Sequence, residues 1–364
     1  MPSLKKIVVQ DFRNIQLQEL EFSPNVNCIS GDNGEGKTNL LDAIWTLSMT
    51  KGAFGVSDRY NYRYGSQGFA ISGEYLMDNG TLSKFALQSR EGEKKLRRDE
   101  KVYDRVSDHI GILPIVMVSP SDTALVSESG EERRRFANAV LSQMDRQYLS
   151  DIQHYNRLLA TRNLALKNNA SDSTFFEVVD LQMSQYASRI FEARDSFAKR
   201  LEPAVQKYYS MLSSDKETVG IELRSDLQKA ELSQLLAQSV TRDVALGYTS
   251  AGVQRDDFVF SMNGHPIRKC GSQGQQKSFL VSLKFAQYEI MKESYGFAPI
   301  LLLDDLFDKL DMTRVSNLLR LVAGSEFGQI FITDSNKVRI TGLLDGITSE
   351  KAFFEAKGGA FSRI

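Results

Sequence analysis

The chain has 364 residues, 45 Lys and Arg against 46 Asp and Glu, a formal charge of -1 and 41% hydrophobic residues, which suits one large or two modest globular domains with a sizeable core. No apolar run reaches the roughly 20 residues of a membrane span, and the opening MPSLKKIVVQDF lacks the apolar stretch of a signal peptide, so no membrane partner and a cytoplasmic location are expected. Two distant cysteines (Cys28, Cys270) and three scattered histidines (His109, His154, His265) argue against a disulfide framework or a Cys- or His-cluster metal site, while the balanced charge excludes an overall basic chain but says nothing of patches.

In chain order, Ile7–Val9, Phe12, Leu20, Phe22 and Val26–Ile29 predict short strands divided by polar turns. Leu40, Leu41, Ile44, Trp45 and Leu47 then recur at helical spacing. Residues 65–118 read as strand-rich, with Asp78-Asn79-Gly80 as a hairpin turn and Ile115–Val118 as an apolar run stopped before Pro120. From about Glu131 to Leu236 strand signals almost vanish. Phe176, Met183, Ile190, Phe197, Ala204 and Met211 recur every seven residues, and Val179, Tyr186 and Ala193 give way to Leu201 and Tyr208 as the stripe drifts. This predicts a long amphipathic helix, kinked or broken at Pro203. Its expected partner is an earlier helix through Tyr148, Ile152, Tyr155, Leu158, Leu159 and Leu166, joined by a loop at 168–173 with Asp172 or Ser173 as N-cap. After Gly247 strand-helix alternation resumes: a hairpin at Asn263-Gly264, a helix from Phe279 to Met291, buried strands at Ile300–Leu303 and Gln329–Thr333, and a helix from Val315 to Val322 between them. The plan is an α/β fold interrupted by a helical insertion. Residues 1–125 and 245–364 are expected to form a split head, and 126–244 an arm.

Gly31-Asp32-Asn33-Gly34-Glu35-Gly36-Lys37-Thr38 fits G-x-x-x-x-G-K-[ST] in full, after a predicted strand and before a predicted helix. Glycines let successive backbone N–H groups turn onto phosphate oxygens, and the helix N-terminus adds partial positive charge. Lys37 would bridge the β- and γ-phosphates of ATP, and the Thr38 hydroxyl would ligate Mg2+. Ile300–Leu303 followed by Asp304-Asp305 supplies the acidic half of such a site at a strand's carboxyl end. Asp304 would hold the Mg2+ shell, and Asp305 would act as general base toward the attacking water.

Ser272-Gln273-Gly274-Gln275, opening a helix about thirty residues before the acidic pair, is a second anion-binding terminus. One triphosphate does not need two. The economical reading is that Ser272, Gly274 and Gln275 cap the γ-phosphate of a nucleotide on a second subunit, as in ABC-type ATPases; the alternative is a plain helix cap at Ser272. Asp308–Asp311 stands where such enzymes carry their D-loop. The strand ending in Thr333-Asp334-Ser335 lacks the switch histidine of transporter ATPases.

With these motifs, Asp11-Phe12-Arg13-Asn14, the run from Asn33 to Ile44, Val118–Asp122, Arg133–Phe136, Tyr155 with Leu158 and Arg162-Asn163, Arg255-Asp256-Asp257 and Ser272–Gln275, the chain resembles the RecF family of bacterial recombination mediators, relatives of the SMC ATPases. The resemblance spans nearly the whole length. It departs at Gly252-Val253-Gln254-Arg255, which lacks a usual Pro-His, at Ala137-Asn138 in place of Leu-Asp, and at the less basic Thr50–Phe54.

The resemblance implies a P-loop ABC-type ATPase head, a mixed sheet with helices, carrying an inserted α-helical arm. It implies a weak, DNA-stimulated ATPase. Arg13, Asn14 and Asn39 join residues 31–38 around the nucleotide, ATP closes a homodimer on single-stranded, gapped or duplex DNA, and hydrolysis releases it. It further implies partners of the RecO and RecR type, recombinase loading in repair and replication restart, and a nucleoid-associated cytoplasmic protein. Local basic balance exists for DNA: Lys84–Arg105 holds eight basic and five acidic residues, and Glu131–Lys167 seven and four. Alternative readings are the ATPase subunit of a transporter, or of an overcoming-lysogeny-type nuclease.

Overall fold

The computed structural model describes residues 1–54, 57–168, 173–213, 217–305, 327–336 and 350–364. Along the chain run β1 (Ser3–Phe12), β2 (Ile15–Glu21), β3 (Val26–Ser30), α1 (Lys37–Met49), β4 (Gly68–Leu76), β5 (Leu82–Arg90), β6 (Glu93–Arg98), β7 (Lys101–Val102) and β8 (Ile115–Val118). Then come α2 (Ala124–Ser127), α3 (Gly130–Met144), α4 (Arg146–Lys167), α5 (Ser173–Ser213), β9 (Val219–Arg224), α6 (Leu232–Leu246), β10 (Asp257–Met262), β11 (His265–Pro266) and α7 (Ile267–Cys270). Last are α8 (Gln273–Tyr295), β12 (Ile300–Leu303), β13 (Ile330–Asp334), β14 (Lys351–Lys357) and β15 (Ala360–Arg363). The expected D-loop at 308–311, the helix at 315–322 and the Asp172 cap lie outside the described residues, as does the side chain of Ser173.

The chain divides into two compact units. The first is built mainly from Met1–Asp122 and Lys284–Ile364. Among the described residues it holds two six-stranded sheets, ordered β2-β1-β4-β5-β6-β7 and β15-β14-β3-β13-β12-β8. In the second of these, β14, β3, β13, β12 and β8 are all parallel. Every residue of β3, β8, β12 and β13 is buried, the expected result of covering a parallel sheet on both faces, and these strands are accordingly near-continuous apolar runs. The antiparallel sheet instead alternates, with Phe69, Ile71, Tyr75, Phe85 and Leu87 turned into the core. Helix α1 supplies Leu40, Leu41, Ile44 and Leu47 to the same core, which also takes Ile29, Ile115, Leu302 and Phe331. The predicted turn at 78–80 is present: Leu76 pairs with Leu82, and Gly80 has φ 79°.

The second unit comprises Thr123–Ser210 and Asp215–Leu283. Its boundary differs from the expected arm, because residues 245–283 group with it. The pairing of β10 with β9 carries that segment across. Strand β9 went unread in the sequence, although Val219, Ile221 and Leu223 alternate and are all buried. The Asn263-Gly264 turn is as expected, with φ 47° and 76° between paired Met262 and His265, a type I′ hairpin.

Helix α5 runs through Pro203 without the predicted break. Pro203 lies on an exposed position, so the carbonyl one turn back that loses its amide partner can be hydrated. The buried stripe is Val179, Met183, Ala187, Ile190, Arg194, Phe197, Leu201, Val205 and Tyr209. This true 3.6-residue period carries Met211 out to 43% exposure. Tyr148, Ile152, Tyr155 and Leu166 of α4 are buried as predicted, whereas Leu158 and Leu159 are only half-buried.

Two arginines are buried within this unit. Arg162 bonds Asp180 at 2.7 Å, Asp243 at 2.8 Å and Thr249 at 2.9 Å. Arg194 bonds Asp256 Oδ2 and the Val253 carbonyl, both at 2.6 Å, and Asn138 at 3.0 Å. Asn163 accepts from the Thr249 amide at 2.8 Å. Gln254, at one of the family departures, is half-buried, accepts from the Tyr155 hydroxyl and donates to Ala251 O at 2.8 Å.

Candidate nucleotide site

The loop Gly31–Gly36 leaves the carboxyl end of β3 and enters α1. Helix α1 has no side-chain cap and no acidic residue in its first turn, which leaves its first amides and its dipole available to an anion. Gly36 has φ 102°, and a Cβ there would meet the Asn14 amide at 2.7 Å. The positive φ favours glycine, and a side chain there would also push the end of Asn14 aside. The Lys37 ammonium folds into the loop, donating to Gly31 O at 2.6 Å and Asp32 O at 2.9 Å. The loop is braced from outside by β14–β15: Gly359 N donates to Glu35 O at 3.0 Å, and Gly358 N to the Glu35 carboxylate.

Sheet order explains how residues some 265 positions apart meet. β13 lies between β3 and β12, so the loop and the acidic pair open at one edge. Thr38 Oγ1 lies 3.0 Å from both Asp304 carboxylate oxygens. Thr333 donates to Asp304 Oδ1 at 2.8 Å and accepts from the Asp305 amide at 3.0 Å. Burial pushes the Asp304 carboxyl above its ordinary value, and the two threonine hydroxyls pull it back. Asp305 takes a left-handed φ of 46° at the strand's end, a backbone state that non-glycine residues occupy at a cost of about 1–2 kcal/mol. The hydroxyl of Thr38 and the carboxylate of Asp304 are hard oxygen donors in contact. That set fits Mg2+, which would take its remaining ligands from water and phosphate oxygens.

Arg13 and Asn14 form the β1–β2 turn beside this loop. Asn14 accepts from Asn39 at 2.7 Å. Arg13 is held by Asn39 at 3.2 Å, Asn61 at 3.2 Å and the fully buried Asp42 at 2.5 Å. Asp42 also accepts from the Ala53 amide at 2.7 Å, and its burial raises its pKa, opposed by Arg13 and that amide. The guanidinium thus ties α1 to Asn61. The roles of Asp42 and Asn61 were missed in the sequence, and Thr333 was noted there only as standing in place of a switch histidine, without a role. No local spacing marks them.

The Ser272 turn sits in the second unit. Gln275 N donates to Ser272 Oγ at 3.3 Å and Ser272 N to Gln275 Oε1 at 2.8 Å, a reciprocal capping box opening α8. Gln275 also donates to Glu217 at 2.8 Å. Ser272 is exposed and Gly274 half-buried.

Other motif residues have internal partners. Asp122 accepts from the Ser119 amide and pairs with Lys284, each at 2.7 Å. Of the basic run, Arg133 grips Asp257 through two bonds of 2.8 and 3.1 Å, Arg134 donates to Asp256 O at 2.7 Å, and Arg135 pairs with Glu131 and Glu132. Lys94 is likewise paired, with Asp58 at 2.6 Å, whereas Lys95 and Arg97 stand exposed on β6.

Residues 3–61 match the model of the RecF/RecN/SMC N-terminal domain. The DNA replication and repair protein RecF of Bacteroides fragilis is 40% identical over 363 residues, covering 99% of this chain and 98% of that protein. RecF of Porphyromonas gingivalis is 40% identical over 358 residues, 98% of each chain. A solved structure of the recombination mediator RecF with ATP, from the RecFOR pathway, superposes with a TM-score of 0.90 at 28% identity, over 100% of this chain and 98% of that one. An Smc head domain from Pyrococcus furiosus shares the fold, with a TM-score of 0.58 at 14% identity. Near-complete coverage at this identity, with the phosphate loop and acidic pair meeting at one sheet edge, places the chain in the RecF family of DNA replication and repair proteins.

Proposed function

We propose that this chain is an ATP-gated DNA-binding mediator of recombinational repair. The observation that carries the reading is the Thr38–Asp304–Thr333–Asp305 chain of contacts at the mouth of the phosphate loop. It is supported by full-length similarity to RecF proteins, one of them solved with ATP. That similarity favours it over a transporter subunit or the ATPase half of a nuclease.

ATP phosphates would displace the Lys37 ammonium from Gly31 O and Asp32 O and take its charge, together with the uncapped amides of α1. Thr38 and Asp304 would hold Mg2+, which when bound neutralises phosphate charge. Asp305, fixed through its amide by Thr333, would accept the proton of the attacking water. Ser272, Gly274 and Gln275 would reach the nucleotide of a second copy, so that ATP closes a homodimer on gapped, single-stranded or duplex DNA. Hydrolysis would then release it. Partners of the RecO and RecR type, a nucleoid-associated cytoplasmic location and help to recombinase loading belong to the same reading.

The test is sedimentation velocity of the full chain, with and without ATP, in the presence of gapped, single-stranded and duplex DNA. An ATP-dependent dimer that co-sediments with DNA is expected, and Asp305→Asn should prolong it. A monomer under every condition would refute the gating.

A further inference from the structure

The second unit contains an open cleft of about 750 Å³ that the nucleotide chemistry does not use. Its walls are the end of β9 with the following turn (Arg224, Lys229), α6 (Arg242) and the short turn before β10 (Arg255). Two carboxylates also line it. Asp257 is already gripped by Arg133 through two bonds, and Asp226 lies 3.9 Å from Lys229. Among the described residues neither Arg242 nor Arg255 has an ion-pair partner, and both are exposed. Arg224 reaches only Glu222, at 3.9 Å and on the open surface. Among the described residues, other exposed basic side chains of this unit, such as Arg146 and Arg157, are also without an ion pair, but Arg242 and Arg255 line one concavity together with Arg224 and Lys229, which gathers open donors at a single place.

The ligand must be anionic, and a guanidinium fork takes a carboxylate or a phosphate equally well. Three features favour carboxylates on a peptide. Among the described residues no aromatic lines the cleft, so they offer no platform on which unpaired bases stack. A concavity of this size suits a short segment or small ligand, whereas a duplex is met over an extended face that buries on the order of 1,000 Å² or more of protein surface. Gln238 with Leu235 and Ala251 gives the cleft an amide donor and acceptor beside small apolar surfaces, the needs of a peptide main chain and its alternate side chains. We propose that this cleft docks an acidic peptide segment of a partner protein, with Arg242 and Arg255 as its principal anchors. The site is independent of ATP chemistry and does not rest on the gating described above.

The test is fluorescence anisotropy of a fluorescein-labelled alternating Asp-Ser peptide titrated with the full chain, against the same peptide with Asn for Asp. The Asp peptide should bind and the Asn peptide should not. The double variant Arg242→Glu/Arg255→Glu should weaken binding at least about tenfold, through lost attraction and added repulsion. Both positions are exposed, so circular dichroism and ATP binding should match the parent. Failure of the parent chain to bind the Asp peptide, or equal binding by the double variant, overturns the proposal. So does loss of labelled-oligonucleotide binding in the double variant with peptide binding intact, which would assign the cleft to nucleic acid. The single variant Arg242→Gln, expected to weaken the peptide several-fold, keeps the test decisive if the double variant is unstable.

Discussion

The Thr333 hydroxyl touches both members of the acidic pair, donating to Asp304 Oδ1 at 2.8 Å and accepting from the Asp305 amide at 3.0 Å. In transporter ATPases a histidine stands at the end of this strand. Here a short hydroxyl binds the Asp304 carboxylate and the Asp305 backbone into one unit. Thr333→Val keeps the shape and removes both bonds. ATP affinity should change little, because Lys37 and the loop are untouched, while kcat should fall roughly tenfold or more, as for loss of one positioning hydrogen bond. Thr333→Ser should restore most of the rate. Steady-state ATPase assays that separate KM from kcat check this.

Lys37→Ala should abolish nucleotide binding, weakening it by about a hundredfold or more, since a buried triphosphate loses its principal counter-charge. Isothermal titration with ATP reads the effect. Retained affinity would disprove the assignment of the loop.

Ser272→Arg replaces an exposed helix cap, so the cost to stability should be about 1 kcal/mol. ATP binding by the monomer should persist while ATP-driven dimerisation fails in sedimentation. Loss of ATP binding would mean that Ser272 does not act from a second copy.

Arg194→Met should destabilise the protein by roughly 3–5 kcal/mol, because Asp256 would be left charged and buried. The double variant Arg194→Met/Asp256→Asn should recover part of that loss. Urea unfolding of both, analysed as a cycle, measures the coupling.

His109 is fully buried, and its Nε2–H donates to the Leu47 carbonyl at 2.8 Å. Burial pulls its pKa down to about 4 from an ordinary 6.5. The unfolded chain therefore takes up this proton first as pH falls, so stability is full above pH 6.5 and declines through that window toward 4. The loss from this one group is about 3 kcal/mol at most. Thermal melts across that range should show a steeper decline for the parent than for His109→Gln.

Much of the nucleotide site and of the surrounding fold was legible because each part is contiguous in itself. The loop at 31–38, the four apolar residues before Asp304 and the turn at 263–264 each declare themselves through glycine placement or periodicity within a dozen residues. Other elements were hidden for definite reasons. Arg194 occupies a core position of α5, where a charge breaks the apolar repeat, and the opposing Asp256, with the Val253 carbonyl and Asn138, makes it tolerable. The Arg133–Arg135 run looked like a phosphate-binding face, but nothing local shows that the β10 segment offers Asp257 and the Asp256 carbonyl to it.

By itself the sequence determined the loop, the acidic strand end, the hairpins and the helical periods, since backbone dihedrals and side-chain alternation are set over one or two turns of chain. Only the tertiary structure decided that β13 would separate the loop strand from the acidic strand, bringing Thr333 to Asp304. It also decided which arginines would be consumed inside the second unit and which, as at 242 and 255, would stay open to solvent. Those outcomes depend on sheet order and on burial of charge. Both arise between segments up to hundreds of residues apart, and the free energy of a buried ion pair exists only once the two sides have met.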